Sequence, residues 1–209
     1  MAVSTLVAKT PLILASASPR RLELLERIGI HPNEVDPPHI NESPLCNEKP
    51  ADHALRLARE KAGIVHARHQ GCFILAADTV IACGRRILPK AGDTAQALSC
   101  LELLSERRHR VLGGVCIIDP EGTLHSLRVT TIVAFKRLTG GEIASYLESD
   151  EWRDKAGGYA IQGRAEAFVR FINGSYSNVV GLPLFETHTL LAGLGYPGEI
   201  RTLEERLSP

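Results

Sequence analysis

The run Ser16-Ala-Ser-Pro-Arg-Arg21 gathers two hydroxyls and two guanidinium groups at what reads as the start of a helix. Leu12 to Ala15 before it is a short apolar run of strand character. Ser18 stands at the N-cap position, and Pro19 suits the first helical position because its missing N–H would find no partner there. Leu22, Leu25 and Ile28 recur at helical spacing, and Gly29 supplies the stop. Arg20 and Arg21 are odd in the first turn. A helix start carries partial positive charge, and each cation there costs ~0.3–1 kcal/mol. Glu or Gln, not Arg, would complete a capping box at position 21. Orphan N–H groups, the Ser16 and Ser18 hydroxyls and two guanidinium forks together make a strong anion site. The anion expected is a phosphate chain, and a solvated basic turn is the alternative.

A second group with chemical potential is Asp78. It follows the apolar run Phe73–Ala77; Asp78-Thr79 is expected to end that strand, with Val80–Cys83 as a candidate continuation. A carboxylate at the carboxyl end of a buried strand opens into the ligand crevice of α/β sheets, although an Asp capping a turn fits equally well. Lys61 lies at the edge of the apolar stripe of a helix over 51–69, where a snorkelling surface lysine is expected. His66 and His69 have no matching carboxylates nearby in the chain, so no metal site is expected there. The segment 31–50 is rich in proline and acidic residues, which forbids long regular elements. Its Asp36 and Glu48 read as ordinary loop carboxylates. In Asp154-Lys-Ala-Gly-Gly-Tyr-Ala-Ile-Gln-Gly163 three glycines surround a lysine and an amide, the pattern of backbone that approaches a ligand closely.

The remaining elements must position these groups. Asp93 is a plausible N-cap for a helix to Leu104. Val111–Ile118, broken at Gly113-Gly114, should pair as a hairpin with Leu124–Phe135 across the turn Asp119-Pro-Glu-Gly122. Thr139-Gly-Gly-Glu142 is a capping box. Phe168–Ile172 is a further strand, and a last helix runs from Pro183 to Gly193. Strands alternating with helices, with hairpins among them, indicate an α/β fold around a mixed sheet. The 209 residues suit one domain, or one with two lobes around a cleft. Lys plus Arg and Asp plus Glu are both 24, which argues against a broad nucleic-acid surface. No apolar run reaches the length of a membrane span, and the first residues do not read as a signal peptide, so a cytoplasmic protein without membrane partners is expected. Five widely spaced cysteines without a C-x-x-C are expected to be reduced and structural.

The motifs Ser16–Arg21, Asp78-Thr79-Val80, Ile87-Leu-Pro-Lys90, Asp154–Gly163 and Asn178-Val-Val-Gly-Leu-Pro183, in this order, resemble those of the Maf family of nucleoside triphosphate pyrophosphatases over residues 11–196. Residues 1–10 and 197–209 are then terminal extensions. The resemblance is to the dTTP/UTP branch, because Arg20, Thr79 and Gln162 match that branch's specificity positions. It implies a two-lobed Maf/inosine-triphosphatase-like α/β fold with a long bent mixed sheet and a central cleft. It implies a hydrolase of nucleotide metabolism that releases pyrophosphate and leaves the nucleoside monophosphate. A divalent cation (Mg²⁺ or Mn²⁺), a cytoplasmic location and a homodimer are implied as well. Asp78 matches the catalytic aspartate, and Ser16, Arg20, Arg21, Glu42, Lys61, Lys90 and Gln162 match substrate-site positions. Asp78 and Glu42 are the candidate metal ligands. One departure is Lys90-Ala91, where the family usually has Lys-Pro.

On these residues, Arg20, Arg21, Lys61 and Lys90 would clamp the triphosphate. Asp78 would deprotonate the attacking water or hold the metal that does so; a carboxylate can serve either role. The Gln162 amide offers an acceptor and donors that match the N3–H and adjacent carbonyl of thymine or uracil. Cytosine lacks that N3–H and would leave groups unpaired, at ~1–3 kcal/mol. The single methyl between thymine and uracil is worth only ~1 kcal/mol, so both are expected substrates. The rival readings are a house-cleaning enzyme for modified pyrimidine nucleotides and a weakly catalytic nucleotide-binding regulator of cell division or growth arrest.

Overall fold

Apolar residues occupy both faces of the central strands, so both faces must be covered. β1 (Leu12–Leu14) leads into α1 (Pro19–Arg27), a two-residue β2 (Glu34–Val35) and α2 (Pro50–His66). Then come β3 (Phe73–Cys83), β4 (Arg86–Leu88), α3 (Thr94–Leu104), β5 (Arg108–Ile118), β6 (Leu124–Phe135) and α4 (Gly140–Glu148). A 3-10 turn (Arg164–Phe168), β7 (Val169–Asn173), α5 (Tyr176–Val180) and α6 (Leu184–Gly193) follow. The computed structural model describes residues 10–197; the expected terminal extensions lie almost wholly outside the described residues. The fold is the expected α/β type. Its sheet has seven strands in the order β2-β1-β3-β5-β6-β7, with β4 added on β3. β1 pairs parallel with β2 and β3, and the other pairs are antiparallel, so the sheet is mixed.

Strand alternation sorts the core. Leu12, Leu14, Leu75, Ala77 and Val115 point to the larger cluster, which α1, α3 and α4 complete with Leu24, Leu25, Leu101 and Tyr146. Ile13, Ala15, Ile74, Ala76 and Cys116 point the other way, onto Ala58, Ala62 and Val65 of α2. Val80, Ala82 and Leu112 meet Ala54 of the same helix. The expected caps are present: Asp93 accepts from the Gln96 N–H, and Thr139 with Glu142 closes a full capping box.

Two expectations are corrected. Asp78-Thr79 does not end a strand, because β3 continues to Cys83 by exchanging its partner. β1 pairs with β3 through Leu75, and β4 begins pairing on the same edge only at Ile81. Among the described residues no strand pairs with 76–80 on that edge, and Asp78 sits at the middle of the gap. Nor do Gly113 and Gly114 break β5, which is continuous from Arg108 to Ile118. They lie directly opposite Thr79 and Asp78. A Cβ on Gly114 would stand 2.3 Å from the Ala54 carbonyl oxygen in α2, and one on Gly113 would stand 2.1 Å from Asn178 Oδ1. The glycines are there for close approach by α2 on one face and α5 on the other.

This makes a prediction with a built-in control. Gly114→Ala must push the α2 backbone outward and should destabilise the protein by about 1–3 kcal/mol. Gly63→Ala, within α2 and with nothing within 4 Å of the added Cβ, should stabilise it by about 0.5–1 kcal/mol. Urea unfolding of both variants checks the opposite signs.

Candidate functional site

The gap on the β3 edge is the floor of a cleft of about 620 Å³. Ser16, Arg20, Arg21, Glu42, Lys61, Asp78, Thr79, Lys90 and Gln162, scattered over the sequence, all line it. Asp36 and Glu48, the loop carboxylates, do not. Glu48 is instead bound by His53 and Arg56 of α2, and fixes the end of the loop that carries Glu42.

On the α2 face of β3, charges alternate in a chain. Lys61 Nζ donates to Asp78 Oδ1 at 2.7 Å and to Glu42 Oε1 at 2.6 Å. Lys90 Nζ donates to Glu42 Oε2 at 2.5 Å. Lys61 and Asp78 have side-chain exposures of only 9% and 8%. The expected surface lysine is thus a buried one. Lys61 belongs to the same stripe as Leu57, Ala58 and Val65, and that stripe faces β3. Burial raises the Glu42 carboxyl, but hydrogen bonds and charge from Lys61 and Lys90 outweigh it and hold it at about 2.

On the other face, α1 delivers the arginines. Arg21 is buried; its Nε donates to the Gly181 carbonyl at 2.9 Å and its Nη1 to Ser16 Oγ at 2.9 Å. Thr79 Oγ1 lies 3.5 Å from Arg21 Nη2 and donates to the same Gly181 carbonyl at 3.3 Å. Arg20 Nε donates to the Val180 carbonyl at 3.3 Å. Both acceptors lie at the C-terminal end of α5, where backbone carbonyls favour cations. That contact offsets the poor placement of two cations at the start of α1. Burial pulls both guanidinium groups below their usual value, and Asp78 partly restores Arg21. Ser18 takes the N-cap position, but its side chain makes no capping hydrogen bond, and its N–H turns back to Ser16 Oγ.

Three further groups stand in motifs that sequence reasoning noted, but it gave them no individual role. Asn178, fully buried, donates from Nδ2 to the Val111 carbonyl at 3.1 Å and to Thr131 Oγ1 at 3.0 Å. It thereby pins α5, and with it the two carbonyls that hold the arginines, to β5 and β6. Lys155 and Tyr159 line the cleft from the glycine-rich loop. Tyr159 is anchored by His109 Nε2 at 2.8 Å, and burial holds that imidazole down at about 4, in its neutral form. The glycines of this loop signalled close approach, but nothing local marked Lys155 as facing the cleft. His69, expected to lack a carboxylate, meets Asp36 at 3.1 Å, with Arg68 on the same carboxylate.

Among the described residues no group of three His, Cys, Asp or Glu could hold a metal. Asp78 and Glu42 do converge, however. The second oxygen of Asp78 has no hydrogen-bond partner among the described residues, and Asp78 lines the cleft. Two hard oxygen donors suit Mg²⁺ or Mn²⁺ when substrate phosphates and water supply the other ligands.

A profile described as Maf-like protein matches residues 11–194. The chain belongs to the Maf family. Among its members, the dTTP/UTP pyrophosphatase of Paramagnetospirillum magneticum is 62% identical over 185 residues, covering 88% of this chain and 97% of that protein. The dTTP/UTP pyrophosphatase of Rhodospirillum rubrum is 60% identical over 90% of each chain. Among solved structures, a HAM1 protein from Coxiella burnetii aligns with this Maf chain at a TM-score of 0.46 and 16% identity, over 88% of this chain and 99% of that one.

The Glu42 carboxyl makes a signed prediction. Its folded value lies below its unfolded one, so the stability it contributes is complete above the unfolded value, ~4.3, and is lost as pH falls towards 2. Glu42→Gln should therefore lower the urea midpoint at pH 7, and the difference from the parent should shrink steadily below about pH 4.5.

Proposed function

We propose that this protein hydrolyses dTTP and UTP to the nucleoside monophosphate and pyrophosphate. The observation that carries the proposal is the convergence of Asp78, Lys61, Glu42 and Lys90 with Arg20 and Arg21 on one cleft. Membership of the Maf family and the high identity to proteins bearing that activity in their names support it.

Water attacks the α-phosphorus in line, and the bond to the bridging oxygen of the leaving pyrophosphate breaks. Asp78 takes the proton from that water on its free oxygen, while Lys61 fixes the carboxylate through the other. Arg20, Arg21 and Lys90 hold the phosphate chain, and Lys61 and Lys90 exchange Glu42 for phosphate oxygens as it enters. Asp78 and Glu42, together with the phosphates, would hold a divalent cation that offsets charge on the leaving group. Gln162, at the exposed rim of the cleft, reads the N3–H and carbonyl edge of the pyrimidine. Modified pyrimidine triphosphates that keep this edge are substrates on the same logic. No helix among the described residues is long and apolar enough to cross a membrane, and all five cysteines are free; we infer a cytoplasmic enzyme, and a homodimer from the family resemblance.

A pyrophosphate-release assay over dTTP, UTP, CTP and GTP, with metal and chelator arms, tests the proposal. Turnover should favour dTTP and UTP over CTP by roughly tenfold to a hundredfold, and should stop on chelation. A preference for GTP, or nucleotide binding with no turnover, overturns it. Asp78→Asn should lose ~10²–10⁴ in kcat while dTTP binding persists, and near-full turnover in that variant would remove Asp78 from the chemistry.

A further inference from the structure

The cations of the cleft fall into two sets. Lys61 and Lys90 are each in contact with a carboxylate. Arg20, Arg21 and Lys155 are not within ion-pair distance of any carboxylate among the described residues, and their hydrogen bonds go to backbone carbonyls and hydroxyls. Lys155 is thus a fifth cation lining the cleft, which holds three carboxylates, Glu42, Asp78 and Asp154. The wall carries a surplus of two positive charges. A nucleoside triphosphate carries roughly four negative charges, or two once a divalent cation is bound, so the cation–nucleotide complex balances the surplus only if Lys155 is counted.

The backbone around Lys155 is tied by several hydrogen bonds, its ammonium by one. The Asp154 N–H donates to the Ala91 carbonyl at 3.1 Å, the Ala91 N–H donates to the Lys155 carbonyl at 3.2 Å, and the Gly157 N–H donates to the Pro89 carbonyl at 2.9 Å. The loop is therefore strapped along Pro89–Ala91, beside Lys90. Asp154, just before the lysine, holds a left-handed φ of 55°, a conformation costly for a non-glycine residue. By contrast the Lys155 ammonium has one hydrogen bond, 2.9 Å to the Arg153 carbonyl, which water can replace. Burial first, and then the neighbouring Arg20 guanidinium, pull this ammonium below its usual value, and the adjacent Asp154 carboxylate only partly opposes them. An anion drawn in between the two would relieve that repulsion.

We propose that Lys155 is a further substrate-binding residue, which with Arg20 grips the phosphate chain of the nucleotide. The proposal rests on the nucleoside triphosphate reading of the cleft. The probe is inorganic tripolyphosphate, with binding measured by calorimetry in the absence of divalent cation, alongside steady-state kinetics with dTTP. Lys155→Met should weaken tripolyphosphate binding by about tenfold and raise KM for dTTP by a similar factor, with kcat changed less than about threefold. Lys155→Gln retains a donor for the Arg153 carbonyl but not the charge, and should behave as the Met variant. Lys155→Arg should restore both constants to within about threefold. Binding of the uncharged nucleoside thymidine should not change in any of them. Unchanged tripolyphosphate affinity in the Met and Gln variants, or equal losses in the Gln and Arg variants, would overturn the proposal. If the parent protein fails to hydrolyse dTTP, the substrate reading falls, and the tripolyphosphate comparison still decides the role of Lys155.

Discussion

The buried ammonium of Lys61 holds the site together. It draws the Asp78 and Glu42 carboxylates to within 2.7 and 2.6 Å of one nitrogen. Two carboxylates do not share so enclosed a space without a cation between them, and a cation does not stay buried there without carboxylates. Lys90 extends the chain by one more charge. The arrangement gains little as a stabilising device, since burying ions costs nearly what their attraction returns. What it does supply is a pre-set charge pattern at the cleft: two ammonium groups shared between carboxylates, and an Asp78 carboxylate with one oxygen held by Lys61.

The fold makes room for this pattern by leaving β3 uncovered along one edge. β1 stops and β4 has not begun, so among the described residues no strand pairs with 76–80 on that edge, and Asp78 and Thr79 are left to line the cleft. Opposite Asp78 and Thr79, Gly114 and Gly113 remove the side chains that would hold α2 and α5 away. α2 then brings Lys61 to one face of the strand, and α5 brings the Val180 and Gly181 carbonyls to the other. Asn178 ties α5 down through β5 and β6. The acid and the arginine pair thus reach one cleft from opposite faces of a single strand, and alternation along Asp78-Thr79 is what separates them.

Local chemistry was legible in the sequence where it depends on neighbours in the chain. The caps at Asp93 and Thr139, the strand before Ser16 and the helix after it all follow from short-range rules. The expectation of an anion site at Ser16–Arg21 rested on a misfit, two cations where a helix disfavours them. What offsets that misfit was not legible, since the α5 carbonyls lie 160 residues away. Lys61 looked like a surface residue because its partners come from a loop and a strand outside its own helix. Gly113-Gly114 looked like a break because the α2 backbone and the Asn178 side chain they admit cannot be seen from the strand alone. The family resemblance gathered Glu42, Lys61, Lys90 and Gln162, which no short-range rule connects.

A crystal structure with a non-hydrolysable α,β-imido analogue of dUTP and Mg²⁺ tests the central claim most directly. The account predicts the triphosphate in the gap on the β3 edge, with phosphate oxygens in place of Glu42 at Lys90 and the α-phosphorus about 3–4 Å from the free oxygen of Asp78 or from a water it holds. A triphosphate bound elsewhere, with Glu42 still on both lysines, would contradict it.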